Sequence, residues 1–287
     1  MDFVKLVGPF GLFFIMFSLA LTIKPKNFLE IFKSPLSYYV GLVCQLIGMP
    51  LIGFSLALSI PFPQEVKVGI LLITCLPSTV TSNYITKKLG GNVPLSISLT
   101  ATTSLLAFLT IPLILKAYFY FVFQDDTSIM FGESVLRASF TIFGIVTIPV
   151  IFGMLFNHFF ENVSKKIDPI FDKLSAIIFF TVLGVAIYQD FHLIPEYFKF
   201  AGIKTVLIFF IAFFMTIIMA KIFKLNEQDK ITVVIETVLQ NGAMGLIVGG
   251  IIFDNVTYIM PVAAYALLQY LFILVYFSYV TKISKNK

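Results

Sequence analysis

Charge is scarce in this sequence. Asp, Glu, Lys and Arg make up 12% of its 287 residues and hydrophobic residues 59%, against roughly 25% and 45–50% in an ordinary soluble domain. That balance excludes a water-soluble fold, which has no interior large enough for so much apolar surface. Cysteine is nearly absent too. Cys44 and Cys75 both fall inside apolar stretches, where a thiol behaves as a small hydrophobe, so neither a disulfide framework nor a metal cluster is indicated. His158 and His192 stand at the ends of apolar stretches without ligand-spaced partners, which argues against a transition-metal or histidine-based catalytic site. Trp is missing altogether, leaving the 34 Phe and 12 Tyr to supply aromatic contact with lipid.

What the chain does have is long apolar runs. Crossing a bilayer takes about 20 apolar residues per helix, and nine such spans are expected, at roughly 7–23, 36–60, 66–86, 94–122, 134–158, 170–188, 201–222, 231–252 and 257–281. The first follows Met1 with no basic leader and no small-residue cleavage pattern, so it reads as a permanent helix and not as a signal peptide. Short cytoplasmic loops carry an excess of Lys and Arg. With the N-terminus outside, 14 of 20 cations fall on the inner side, among them Lys24, Lys26, Lys33, Lys87, Lys88, Lys165, Lys166, Lys221, Lys224 and Lys230, while Lys5, Lys67, Lys116, Arg137, Lys199 and Lys204 fall outside. The expected placement is a multi-pass protein of the cytoplasmic membrane, N-terminus out and C-terminus in. The net charge of +5 is thereby an orientation signal dispersed over loops, not a nucleic-acid surface.

Polar groups inside the bilayer are costly and therefore informative. Of the fifteen acids, fourteen sit in loops or near span ends, Asp229 included, and only Glu236 lies well inside an apolar run, six residues after Lys230. A charge there costs on the order of 2.5–3.5 kcal/mol. Two readings fit: a protonated or paired structural Glu, or a ligand of a bound cation. No Lys or Arg lies at similar depth, which favours the cation. In Glu236-Thr-Val-Leu-Gln-Asn-Gly-Ala-Met-Gly245 two amides and a glycine fall together in mid-span, the mark of a broken helix. In Cys75-Leu-Pro-Ser-Thr-Val-Thr-Ser-Asn83, Pro77 removes a backbone donor and five of the next six residues are Ser, Thr or Asn, so unwinding is expected there too. Two interrupted spans in corresponding places of two halves point to an inverted-repeat transporter with its site at the breaks. Ser96 and Thr100 follow the first break at i, i+4 and share a helix face, either bonding back to their own helix or facing the same site as Ser82, Asn83 and Glu236. One carboxylate with neutral oxygens suits a monovalent cation better than Ca²⁺. An intramembrane enzyme would need a nucleophile with a base, or a metal constellation, at matching depth, and neither is present in the sequence.

These motifs, with Ile15-Met-Phe-Ser-Leu-Ala-Leu-Thr-Ile-Lys-Pro25, Phe32-Lys-Ser-Pro35, Gln45-Leu-Ile-Gly-Met-Pro50, Ser82-Asn83, Gly91-Asn-Val93 and the run from Glu236 to Asn241, resemble the bile acid:sodium symporter family over nearly the whole chain. The resemblance implies an all-α membrane fold of the nine-helix type, with inverted repeats and two crossing discontinuous helices. It further implies a panel domain (1–27 and 129–192; spans one, five and six) and a core domain (36–122 and 200–287; spans two to four and seven to nine). One sodium ion would be held by Ser82, Asn83, Ser96, Thr100 and Glu236, and a second by Gln45, Glu236 and Gln240 with backbone oxygens near Thr237 and Leu239. Thr81, Asn241 and Tyr270 would meet the substrate. The implied activity is sodium-coupled symport of a small organic anion, bile-acid-like or a smaller carboxylate, by alternating access, with Na⁺ as the only metal and no organic cofactor. A proton-coupled or uncoupled carrier on the same fold is the alternative, because a lone buried acid serves either. Oligomeric state is left open, a monomer being sufficient. The family's first break usually reads Pro-Gly-Gly-Thr-Ala-Ser-Asn, and Tyr270-Leu271 stand where some bacterial relatives have His-Asn, so the substrate side departs from the pattern more than the ion side does.

Overall fold

Proline, asparagine and close helix packing decide where the helices of this protein stop and how near they come. The computed structural model describes residues 2–23, 34–59, 63–123, 136–189, 202–253 and 256–285. Their regular structure is helical: α1 (Asp2–Ala20), α2 (Pro35–Ser59), α3 (Gln64–Cys75), α4 (Val80–Lys88), α5 (Val93–Phe123), α6 (Leu136–Phe159), α7 (Glu161–Gln189), α8 (Ile203–Ile222), α9 (Glu227–Val238), α10 (Gly242–Ile252) and α11 (Met260–Lys285). Helices α2, α5, α6, α8 and the stretch Thr257–Tyr276 are long and apolar enough to cross a membrane, and Gly8–Ala20 and Gly242–Ile252 are shorter apolar helices. Phe10, Tyr120, Phe140, Phe214, Leu274 and Val275 lie more than half exposed, an outer surface suited to lipid and not to water. The protein is a multi-pass α-helical membrane protein. Lys24, Lys26, Lys33 and Lys199, used above to orient it, and His192 lie outside the described residues.

The two expected breaks have distinct local causes. Pro77 disfavours helical geometry in the residue before it, and Leu76 is extended at φ −74°, ψ 152°, so α3 ends at Cys75 and the chain resumes helix at Val80. In the second break Leu239 leaves the helix at φ −92°, ψ 101°. Asn241 then starts α10 as its N-cap, its side-chain oxygen accepting from the Met244 amide at 3.0 Å, which satisfies one of the donors every helix start leaves open. Gly242 follows because a Cβ there would collide with Ala266 of α11. The two extended segments meet: Ser78 and Gln240 form an isolated antiparallel bridge, and the Asn241 amide donates to the Pro77 carbonyl at 2.9 Å. Backbone groups freed by unwinding are thus satisfied by each other, as burial away from water requires.

Helices α2 and α6 each contain one π-turn, Cys44–Gly48 and Phe143–Thr147, and a proline follows two residues later in both, Pro50 and Pro149. A proline inside a helix lacks its amide donor and crowds the carbonyl four residues before it; widening the preceding turn relieves that conflict. In α2 the widened turn carries Gln45, 3% exposed, in contact with α8 and α9. Elsewhere α1 packs on α6 and α7, and its last carbonyls, which have no partner within the helix, are met by side chains: Asn157 Nδ2 donates to Ile23 O at 3.0 Å and Ser164 Oγ to Leu21 O at 2.9 Å.

Close approach constrains α3 most tightly. A Cβ on Gly69 would strike the Tyr258 backbone oxygen and the Pro261 ring, neither of which can swing aside. Gly69→Ala is therefore expected to lower stability by about 1–3 kcal/mol, whereas Gly184→Ala in α7, where a Cβ meets nothing within 4 Å, is expected to leave it unchanged within about 0.5 kcal/mol. Paired thermal melts in one detergent check both.

Candidate functional site

Glu236 sits in the last turns of α9, fully buried. Its described partners are all neutral hydroxyls. Thr100 Oγ1 donates to Oε2 at 2.7 Å, Ser96 Oγ to Oε1 at 2.5 Å, and Ser78 Oγ also donates to Oε2. Ser82, fully buried on α4, donates its hydroxyl to Thr79 O at 2.6 Å. Asn83 Oδ1 faces Ser96 Oγ at 2.7 Å, and since a hydroxyl has one proton to give, Ser96 donates to Glu236 or to Asn83 but not to both at once. The open question over Ser96 and Thr100 is decided by geometry: both turn to Glu236, whereas Ser98 and Thr103 of the same helix bond back to Pro94 O and Leu99 O. Ser82, Asn83, Ser96, Thr100 and Glu236 come together as one polar cluster.

The register that brings them together is set two turns earlier in α9. Asp229, 2% exposed, accepts from Ser37 Oγ at 2.6 Å, Asn92 Nδ2 at 2.8 Å and Asn226 Nδ2 at 2.9 Å. Ser37 is in the first turn of α2, Asn92 directly precedes α5 and Asn226 caps α9. Three helix N-termini, each carrying partial positive charge, thus converge on one carboxylate. Thr232 Oγ1 adds a bond from the Asn92 amide at 2.7 Å. Asn92, Ser96 and Thr100 on α5 face Asp229, Thr232 and Glu236 on α9 as one polar seam. Asp229 was expected near a span end; burial in this cage is what the sequence does not announce.

A second set of polar groups has no partner. Both side-chain atoms of Gln45, Gln240 Oε1 and Asn241 Nδ2 are buried and unbonded. Gln240 Nε2 donates to Thr237 O at 2.7 Å. Unpaired buried amides are uncommon and call for an explanation. Beside the first break, Thr81 Oγ1 and Tyr270 OH lie 3.1 Å apart, Thr81 exposed and Tyr270 half-buried, so two of the three residues expected to meet substrate are in contact. The third, Asn241, is 2% exposed and spends its oxygen on the α10 cap. Among the described residues there is no group of His, Cys, Asp and Glu able to hold a metal ion of the transition series.

A family model for the Sodium Bile acid symporter family matches residues 9–196. The chain belongs to this family. The match takes in Gln45, Ser82, Asn83, Ser96 and Thr100 and ends before Glu236. Similar proteins include the sodium-dependent transporter YocS of Bacillus subtilis, 26% identical over 231 residues, or 80% of this chain and 70% of that protein. The probable sodium/metabolite cotransporter BASS2 of Oryza sativa subsp. japonica is 25% identical over 88% of this chain and 58% of its own length. The human ileal sodium/bile acid cotransporter is 32% identical over 61% of this chain and 50% of its own length. The alignments thus span between half and 70% of these relatives. Family and relatives alike are transporters, not enzymes.

For this symporter-family chain, three site residues escape a reading of the sequence alone. Ser78 is a direct partner of Glu236, Gln269 braces the second break, and Tyr265 OH donates to Val238 O at 2.8 Å, closing a carbonyl freed where α9 ends. The Asp229 cage yields a test of the seam. Asp229→Ala leaves the buried Ser37 hydroxyl and the half-buried Asn92 amide without an acceptor and is expected to cost about 1–3 kcal/mol, read as a fall in unfolding temperature of the purified protein. A loss below about 1 kcal/mol would mean that the N-termini of α2, α5 and α9 hold together without it.

Proposed function

We propose that this protein is a secondary active transporter that symports a small organic anion with Na⁺ by alternating access. The observation that carries the reading is the fully buried Glu236 carboxylate, surrounded by hydroxyl oxygens and met by no cationic side chain among its described partners. A bare charge in that position is strongly disfavoured. A monovalent cation carried with the substrate neutralises it, and hydroxyl lone pairs together with the Asn83 amide oxygen complete the oxygen shell that a hard ion requires.

In this reading one Na⁺ is held by Ser82, Asn83, Ser96, Thr100 and Glu236. A second is held by Gln45, Gln240 and Glu236 with backbone oxygens at Thr237 and Leu239, which gives the unbonded Gln45 and Gln240 oxygens a ligand. Glu236 shared between both ions ties their occupancy together. The nine spans are α1, α2, the pair α3–α4, α5, α6, α7, α8, the pair α9–α10 and α11, arranged as inverted repeats whose broken members cross. Residues 36–122 and 200–287 act as a core moving against a panel of 1–27 and 129–192, the N-terminus outside and the C-terminus in the cytoplasm. The organic anion, bile-acid-like or a smaller carboxylate, binds beside the crossing at Thr81, Asn241 and Tyr270, where hydroxyl and amide donors face it without a fixed positive charge. A proton-coupled carrier would use Glu236 alone, and the unbonded Gln45 and Gln240 amides favour sodium over it, because a proton needs no such ligands.

Anything that binds the folded state stabilises it by mass action, about 2.7 kcal/mol at a hundredfold excess over Kd. Thermal unfolding of purified protein at equal ionic strength should shift upward in Na⁺ relative to K⁺ or choline, and Glu236→Gln should abolish the shift. A shift that follows pH and ignores Na⁺ would instead establish the proton-coupled carrier.

A further inference from the structure

The second break leaves Leu239, Gln240 and Asn241 between α9 and α10, with Gln240 at its centre. One edge of its backbone lies against the first break, through the bridge with Ser78 and the Asn241 amide bond to Pro77 O. The opposite edge faces α11, and there a side chain completes the pairing. Gln269 Oε1 accepts from the Gln240 amide at 2.8 Å and Gln269 Nε2 donates to the Gln240 carbonyl at 3.1 Å. A carboxamide used this way reproduces the donor and acceptor of a neighbouring strand residue, so Gln240 sits as the middle of three, with Ser78 on one side and Gln269 on the other. Gln269 is 2% exposed and both its polar ends are committed to this contact, Nε2 also lying 3.5 Å from Ala266 O.

We propose that Gln269 is a positioning residue for ion binding. By fixing the Gln240 backbone it aims the Gln240 side chain and the Thr237 carbonyl that the side chain touches. This rests on the reading of Gln240, Thr237 and Gln45 as the second Na⁺ site. Without Gln269 nothing else among the described contacts of Gln240 accepts its amide proton, and an unpaired backbone group at this depth is costly enough to rearrange the break. The next residue, Tyr270, meets Thr81 of α4 at 3.1 Å. One turn of α11 therefore holds the second break with one side chain and touches the first half of the crossing with its neighbour, so displacement of Tyr270 by an arriving anion is transmitted to the residue that sets Gln240. Gln269 acts through Gln240 and has no contact of its own with the ion in this scheme.

The test is a Na⁺ titration of thermal stability for wild type, Gln269→Met and Gln269→Glu, with Li⁺ and K⁺ as comparison ions. Met keeps length and volume but neither hydrogen bond; Glu keeps an acceptor for the Gln240 amide and loses the donor. Loss of two backbone-orienting bonds should raise the half-saturating Na⁺ concentration by roughly tenfold or more in Gln269→Met, with a smaller rise in Gln269→Glu and a change in Na⁺ over Li⁺ preference in both. If Gln269→Met does not yield folded protein, Gln269→Glu decides alone on the same criterion. Lowered melting temperatures in every ion with unchanged half-saturating Na⁺ would overturn the inference and leave Gln269 a purely structural brace. A wild type that ignores Na⁺ would overturn the ion reading itself, and this inference with it, an outcome separable from the first because it is seen before any variant is made.

Discussion

The carboxylate of Glu236, wholly removed from solvent, has to be satisfied from inside the protein, and much of the architecture can be understood as meeting that requirement. Hydroxyls reach it from two directions: Ser78 from the first break, and Ser96 and Thr100 from the face of α5. Each of these groups is useful only if α5, α9 and the extended segment at Ser78 hold their relative positions to within a fraction of an ångström. The Asp229 cage, the Asn92–Thr232 contact and the antiparallel bridge at Gln240 supply that fixity. Binding groups held by rigid helices at their junction, with a braced backbone on either side, resemble an enzyme's preorganised site more than a flexible loop.

Where the chain is unwound at the second break, its backbone groups still find partners. Leu239 and Gln240 leave helical geometry, yet the Leu239 amide still bonds to Ile235 O, Val238 O is taken by Tyr265, and both backbone groups of Gln240 are met by Gln269. The buried side-chain amide atoms that remain without partners among the described residues, those of Gln45, Gln240 Oε1 and Asn241 Nδ2, are therefore not casualties of a poorly packed break. Satisfied backbone beside unsatisfied amides is what the proposed second Na⁺ site would account for.

Lipid makes polar residues conspicuous in a sequence. Glu236 stood out as an acid in an apolar run, Pro77 and the Gln240-Asn241-Gly242 triplet marked the breaks, and the spacing of Ser96 and Thr100 put them on one face. Ser78 does not stand out: it is one of five hydroxyl or amide residues among six, and its choice of Glu236, 158 residues away, depends on a long-range approach no local pattern encodes. Gln269 was invisible for a similar reason, since a single Gln in an apolar helix reads as an ordinary helix-to-helix bond. Asp229 was assigned to a span end by its neighbour Lys230; its burial comes from three helix N-termini meeting, which is a property of the assembled fold. Asn241 was expected at the substrate, and the structure gives its oxygen a capping role that the cluster of amides alone did not distinguish.

The π-turn at Cys44–Gly48 has a consequence for how α2 can vary. A widened turn absorbs one additional residue with almost no change in helix length, but removing that residue would rotate everything on one side of it by about 100° relative to the other. The part of α2 before the turn carries Ser37, fastened to Asp229, and the part after it carries Gly53, where any Cβ would collide with Thr74 of α3. Both faces are therefore locked in phase, and Gln45 lies in the one stretch that reconciles them. Length changes within this helix are forbidden even where single substitutions are tolerated, so the turn acts as a fixed phase marker between the two ends of the span.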